Sequence, residues 1–298
     1  MRLSSATTSD AVLAQLQRLS SRQAELQNQV ATGQRIFQPG DDPAAAGRVV
    51  ADQMERRSLA QYSRNAGAAL EYSKTSYAGL DQLKKLSDRA GELAVLGNGS
   101  LNDQAMRAYA SEVDQLLEQT VTLGNTRFRN DYLFGGTAID QPPYTPARGA
   151  DGRIASVAYA GDAGRVSVPI ADGASIQPTP DGATNAGLAD FMNRLVALRD
   201  ALQAGDASAV QAVRSGLESS EDLLVSSLSE HGAIQLRIEV AQAQQQSRLD
   251  ELERQISREA DADLPATIVR LNQTTQAYEA ALSSSATILR MSLLDYIR

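Results

Sequence analysis

Cysteine is absent from this 298-residue chain, which excludes disulfides and thiolate metal sites. A single histidine, His231, excludes histidine-based zinc sites and leaves a Ser-His-Asp triad without support. Tryptophan is missing and aromatic residues make up only 4% of the chain, so a single thick core is not expected. No run of eighteen or so apolar residues occurs, so no membrane insertion is expected. The N-terminal MRLSSATTSD lacks an apolar h-region, so no cleavable signal peptide is expected. The formal charge of −8, with no basic stripe, argues against a nucleic-acid partner.

What is present is a repeated helical rhythm. Apolar residues alternate in three- and four-residue steps, the narrow seam of a coiled coil. The N-terminal seam is Val12, Leu16, Leu19, Gln23, Leu26 and Val30. The C-terminal seam is Ile268, Leu271, Thr275, Tyr278, Leu282, Ser285 and Leu289. Similar steps run from Tyr72 to Leu93, from Met106 to Leu123 and from Ile238 to Ile256. Gln, Ser, Thr and Ala dilute these seams, so each packs weakly alone. The tyrosines at seam positions, Tyr72, Tyr109 and Tyr278, read as packing residues.

RIFQPGDDPAAAGRVV, residues 35 to 50, breaks the rhythm. Gly33 suits a helix C-cap, Asp41 or Asp42 an N-cap, and Pro43 a first helical turn. The joint is therefore Gly33, Arg35, Pro39, Asp41, Asp42 and Pro43, with the aspartates read as caps rather than metal ligands. The helix it starts runs from 43 to about 96, roughly 80 Å at about 1.5 Å per residue, and implies a rod. DADLP, residues 261 to 265, reads as a second joint.

Between about 137 and 185 the chain turns rich in Gly, Pro and Asp, and Val157/Tyr159 and Val166/Val168/Ile170 alternate. The expected fold is mainly α with a small β insert: an elongated antiparallel helical rod, coiled-coil-like. Residues 1–40 and 264–298 form a paired terminal region, disordered in the monomer. Residues 41–137 and 186–263 form the helical rod. Residues 138–185 loop outward as a dispensable insert. Neither glycine-rich stretch, 96–100 nor 134–137, has the strand and lysine context of a phosphate-binding loop. No catalytic, cofactor or metal residue is assigned. His231 is expected to face solvent.

The layout resembles the flagellin superfamily, whose members build the bacterial flagellar filament and its junction with the hook. Gly33, Arg35, Ile36, Pro39, Asp41, Asp42 and Pro43 are similar to that family's first joint. The flanking prolines bring the stretch closer to the hook–filament junction branch than to flagellins proper. RFRNDYLFGGT, residues 127 to 137 with Leu133, Phe134, Gly135 and Gly136, is similar to that branch's signature. So is SLLDYIR, residues 292 to 298 with Leu293, Leu294, Asp295 and Tyr296. HGAIQLRIEVAQ (231–242) and DADL (261–264) resemble patterns shared across the superfamily. The resemblance spans about 1–137 and 186–298.

It implies a non-enzymatic, extracellular structural subunit at the hook–filament junction, exported unfolded through the flagellar type III apparatus. Its implied partners are copies of itself in a ring or helical layer, a neighbouring hook-associated protein, flagellin on the filament side and an export chaperone. The alternative is a flagellin-type filament subunit. Arg35, Arg127 and Arg129 are candidates for ion pairs between subunits.

Overall fold

The computed structural model describes residues 3–99 and 102–297, with side chains described from 10 to 287 within that span. The described residues form six helices: α1 (Leu3–Thr32), α2 (Pro43–Gly97), α3 (Asp103–Gly124), α4 (Gly182–Ala204), α5 (Ala207–Ala260) and α6 (Leu264–Ile297). Local chemistry sets their ends. Asn102, Asp181, Asp206 and Asp263 accept the free amides of Ala105, Thr184, Ala209 and Ala266 at the first turns of α3, α4, α5 and α6. Three antiparallel hairpins separate α3 from α4: β1 (Arg127–Phe128) with β2 (Asp131–Tyr132), β3 (Tyr144–Arg148) with β4 (Ile154–Tyr159), and β5 (Val168–Ala171) with β6 (Ala174–Ile176). The fold class is mainly α with small antiparallel sheets.

The chain divides into two compact units, Met1–Arg57 with Arg248–Arg298, and Ser58–Ser247. These bounds lie well inside the expected 40/264 boundary, because the first turns of α2 and the last turns of α5 pair with each other. Glu55 meets Arg248 through both carboxylate oxygens at 2.8 and 3.0 Å.

In the terminal unit α1 and α6 run antiparallel, with Gln23 Nε2 donating to Thr275 Oγ1 at 3.4 Å. Leu26 is buried, and Val12, Leu16, Leu19 and Val30 are half-buried. On α6 the inward residues are Thr267, Leu271, Thr274, Thr275, Tyr278, Ala281 and Ser285. Ile268 and Leu282, expected in the seam, are exposed instead at 44% and 43%. The face is rotated only there, with Thr267 and Ala281 inward in their place, while Leu271, Thr275, Tyr278 and Ser285 face inward. A seam of Thr and Ser has so little hydrophobic contrast that this rotation costs little. Leu289, Leu293, Leu294, Asp295 and Tyr296 lie outside the residues whose side chains are described.

In the unit Ser58–Ser247 a core joins α2, α3, α4 and α5 through Leu80, Leu83, Leu93, Val113, Leu117, Phe191, Met192, Leu195 and Leu224. The expectation of an outward insert fails here. Tyr144, Ile154 and Val157 of the second hairpin belong to that core. Ile170 and Ile176 of the third hairpin pack on Ala66, Ala69, Ile234 and Ile238. The strands alternate, as the sequence indicates, and the buried face of each hairpin needs an apolar partner that only the helices supply.

Two asparagines fasten the second hairpin by imitating missing strands. At the edge of β3, Asn125 Nδ2 donates to Tyr144 O at 2.8 Å and its Oδ1 accepts Tyr144 N at 3.0 Å. At the edge of β4, Asn193 Oδ1 accepts Val157 N and its Nδ2 donates to Val157 O, both at 2.9 Å. The third hairpin is tied to α2 by Asn65, which donates to Pro169 O at 2.9 Å, and to α5 by Gln245, which donates to Ile170 O. Asn193→Ala leaves an amide and a carbonyl of buried Val157 without partners, so a loss of about 2 kcal/mol is expected. Urea unfolding should show a lower midpoint with an unchanged slope.

Candidate functional site: a paired joint

The break at residues 33–43 and the break at 261–263 meet as one structure in the terminal unit. Gly33, at φ +72°, ends α1 in the left-handed conformation that glycine adopts without strain, and its amide donates to Gln29 O at 2.9 Å. Beyond it the two loops pair. Arg35 N donates to Ala260 O at 2.6 Å and Ala262 N donates to Gly33 O at 2.8 Å, around an antiparallel bridge between Gln34 and Asp261.

Side chains then lock the angle. The Arg35 guanidinium donates to Glu259 O at 2.7 Å and to Asp42 Oδ2 at 3.4 Å. Arg48 grips both carboxylate oxygens of Glu259 at 3.1 and 2.9 Å, the planar fork that arginine favours. The two aspartates divide the work. Asp42 is the N-cap of α2, accepting Ala45 N at 3.0 Å. Asp41 instead closes the preceding turn, accepting Phe37 N and Gln38 N, both at 2.9 Å. These backbone amides hold the Asp41 carboxyl below its usual range, and the Ala45 amide does the same for Asp42. Hydrogen bonding and charge from Arg48 lower Glu259 likewise. Each carboxylate therefore supports the joint above the ordinary carboxylate range and loses that effect as pH falls through its depressed pKa.

Asp42→Ala is expected to fray the first turn of α2, with faster amide exchange at Ala44–Ala46. Asp41→Ala should leave that turn protected and loosen residues 37–41. Hydrogen exchange on the two variants separates these outcomes.

Gly33, Arg35, Asp41 and Asp42 thus lie together in the joint, with Pro39 and Pro43 in the turn. Arg48, Glu259 and Ala260 complete the joint, and no spacing rule links Arg48 to a residue 211 positions away. An open groove of about 450 Å³ adjoins it, lined by Arg22, Glu25, Asp42, Arg258, Asp263 and Arg270. Leu13, Phe37, Val50, Met54, Ile268 and Val269 of the same unit are exposed, Met54 at 64%.

The signature Leu133, Phe134, Gly135 and Gly136 belongs to the other unit and acts as a packing lock. Arg129 and Asn130, both at positive φ, make the tight turn between β1 and β2. Tyr72 Oη then donates to Asp131 at 2.7 Å and stacks edge-on against Phe128 at 4.8 Å. The chain drives Leu133 and Phe134 into the core, where Phe134 lies against Gly79 so closely that a Cβ there would sit 3.1 Å from the ring. Gly136, at φ +73°, passes against Asp162, whose carboxylate accepts Thr137 N at 2.7 Å. Arg127 lies over the Tyr132 ring at 4.3 Å and Arg129 pairs with Glu71. Arg35, Arg127 and Arg129 are all engaged within the chain.

His231 is fully buried, against the expectation of solvent exposure. Among the described residues no group of three or more His, Asp and Glu side chains could hold a metal, and no helix is long and apolar enough to cross a membrane.

Long capped helices, a paired joint and a small set of docked hairpins make up a fold similar to that of known flagellar proteins. Residues 3–138 match the family model of the bacterial flagellin N-terminal helical region. The chain is similar to flagellins and also to flagellar hook-associated protein 3. The protein of that name from Salmonella typhimurium is 29% identical over 55% of this chain and 56% of its own length. The chain thus aligns with just over half the length of that relative. A putative flagellar hook-associated protein from Vibrio parahaemolyticus superposes with a TM-score of 0.65 at 16% identity, over 74% of this chain and all of that one. FlgL from Bacillus cereus superposes at 0.60 and 23% identity, over 70% of this chain and 99% of that one. The fold is that of these hook-associated proteins.

Proposed function

We propose that the protein is a structural subunit of the bacterial flagellum that joins hook to filament, forming a layer with copies of itself on which flagellin assembles. The observation that carries this reading is the paired joint, which fixes the direction in which α1 and α6 leave the first turns of α2. A subunit between two unlike neighbours, a hook-associated protein below and flagellin above, needs that direction to be set. The thin α1–α6 seam supports the same reading. Leu26 is the one fully buried large apolar side chain among its described residues, while Leu13, Ile268 and Val269 remain exposed. Such a pair gains most of its order from neighbours. Export through a flagellar type III apparatus, with a chaperone on the C-terminal segment, belongs to this reading, and the absence of cysteine suits it.

The test is a deletion strain viewed by negative stain. Hooks without filaments, with flagellin shed into the medium, are expected. Loss of flagellin-like filament mass itself would instead favour a filament subunit, as would thousands of copies per filament.

A further inference from the structure

The α2–α5 pair within Ser58–Ser247 holds two apolar clusters. One includes Leu80, Leu83 and Leu224, and the other Ala66, Ala69, Ile234 and Ile238. Between them lie four polar side chains, Ser73 and Ser76 on α2 and Ser227 and His231 on α5, exposed by 0%, 0%, 3% and 0%. The helices run antiparallel, so Ser76, one turn on from Ser73, matches Ser227, one turn back from His231. His231 Nδ1 lies 3.4 Å from Ser73 Oγ. Ser76 Oγ, Ser227 Oγ and His231 Nε2 have no hydrogen-bond partner. A buried polar atom without a partner is costly, and three in one layer make it a weak stratum between two apolar clusters.

We propose that Ser73, Ser76, Ser227 and His231 form a proton-sensitive layer that loosens the α2–α5 pair on mild acidification. A proton on Nε2 would place a cation between two apolar clusters with no acceptor on that nitrogen. The charges around the ring offer poor compensation. Arg165, from the β4–β5 loop, repels it and is itself paired with Glu230 at 2.9 Å. Asp181, the N-cap of α4, is occupied by the Thr184 amide at 2.7 Å. Helix α2 presents hydroxyls, Ser73 and Ser76. Burial accordingly pushes the imidazole down from 6.5 to about 4, with Glu230 and Asp181 opposing the shift and Arg165 adding to it. The unfolded chain binds this proton near pH 6.5 and the folded chain only near pH 4. Stability conferred by the neutral ring is therefore complete above about 6.5 and lost progressively down to about 4, at up to about tenfold in the unfolding constant per pH unit.

The full-length chain can be tested directly, because its one histidine gives one imidazole NMR signal. The signal should keep its neutral-ring position at pH 5.5 in the folded protein. Urea unfolding followed by circular dichroism should show the unfolding constant rising steeply between pH 6.5 and 4.5, and His231→Gln should flatten that rise while leaving the carboxylate-driven loss at lower pH. Ser76→Ala with Ser227→Ala should raise stability at every pH and keep the slope. Titration of the folded imidazole near 6.5, or an equal slope in wild type and His231→Gln, overturns the proposal. Should His231→Gln not fold, the wild-type NMR titration decides alone.

Discussion

Deleting residues 138–185 and closing the gap with a short Gly/Ser linker is expected to abolish cooperative melting of Ser58–Ser247. The segment looks removable, since it adds no heptad and is dense in turn residues. Yet it contributes Tyr144, Ile154, Val157, Ile170 and Ile176 as buried side chains. At about 1.5–3 kcal/mol for each large apolar side chain taken from water, their combined loss matches the whole net stability of a typical domain, about 5–15 kcal/mol. The deletion also strips polar anchors. Arg199, nearly buried, would lose Ile154 O at 2.7 Å, and Asn193 would lose both bonds to Val157. Circular dichroism should still report helix, while the sigmoidal melt of this unit flattens. A deletion variant that melts as sharply and as high as wild type would show that the hairpins rest on the core rather than complete it.

Replacing Pro39, Gly40 and Pro43 together with alanine should leave Ser58–Ser247 melting unchanged and still cost the cell its filaments. In a helix interior, alanine is favoured over proline by about 3 kcal/mol and over glycine by about 1 kcal/mol. Pro43 adds little, since it occupies the first helical turn, where proline is tolerated. The substitutions at 39 and 40 thus shift the turn toward helix by about 4 kcal/mol. Opposing them are the solvent-exposed bonds of Asp41 to Phe37 and Gln38, which hold the present turn and are weak in water. Helix extending through 36–43 would redirect α1 relative to the start of α2 and pull Arg35 away from Glu259 and Ala260. On the proposed function, the variant is secreted and reaches the hook tip but supports filaments poorly. Swimming assays with immunolabelling of the tip measure this. Wild-type motility with the protein present at the tip would remove the joint angle from the mechanism.

The secondary structure was largely legible because its signals are local. Pro43 opens α2 and Gly97 closes it, one residue beyond the expected end. The joint was legible as a break for the same reason, since a glycine at positive φ and two prolines act on their own backbone. Which aspartate caps was not, because Asp41 and Asp42 differ only in which amides the folded turn presents. Arg48 and Glu259 carried no signal, their pairing being a product of long-range geometry.

Facing and burial belong to the tertiary structure. Ile268 and Leu282 satisfy the heptad and still lie exposed, because in a seam diluted by Thr and Ser the neighbouring Thr267 and Ala281 can take the inward place at little cost. His231 is buried although its neighbours Glu230 and Gly232 suggest surface, because α2 and the β4–β5 loop close over it. The hairpins alternate in sequence as any half-buried strand does, and only the helices decided that their apolar faces would complete a core. By itself the sequence determined where the chain turns and where helices begin and end, since those depend on backbone angles and caps within a few residues. The packing decided which face meets which partner, since that depends on surfaces brought together from tens to more than two hundred residues apart.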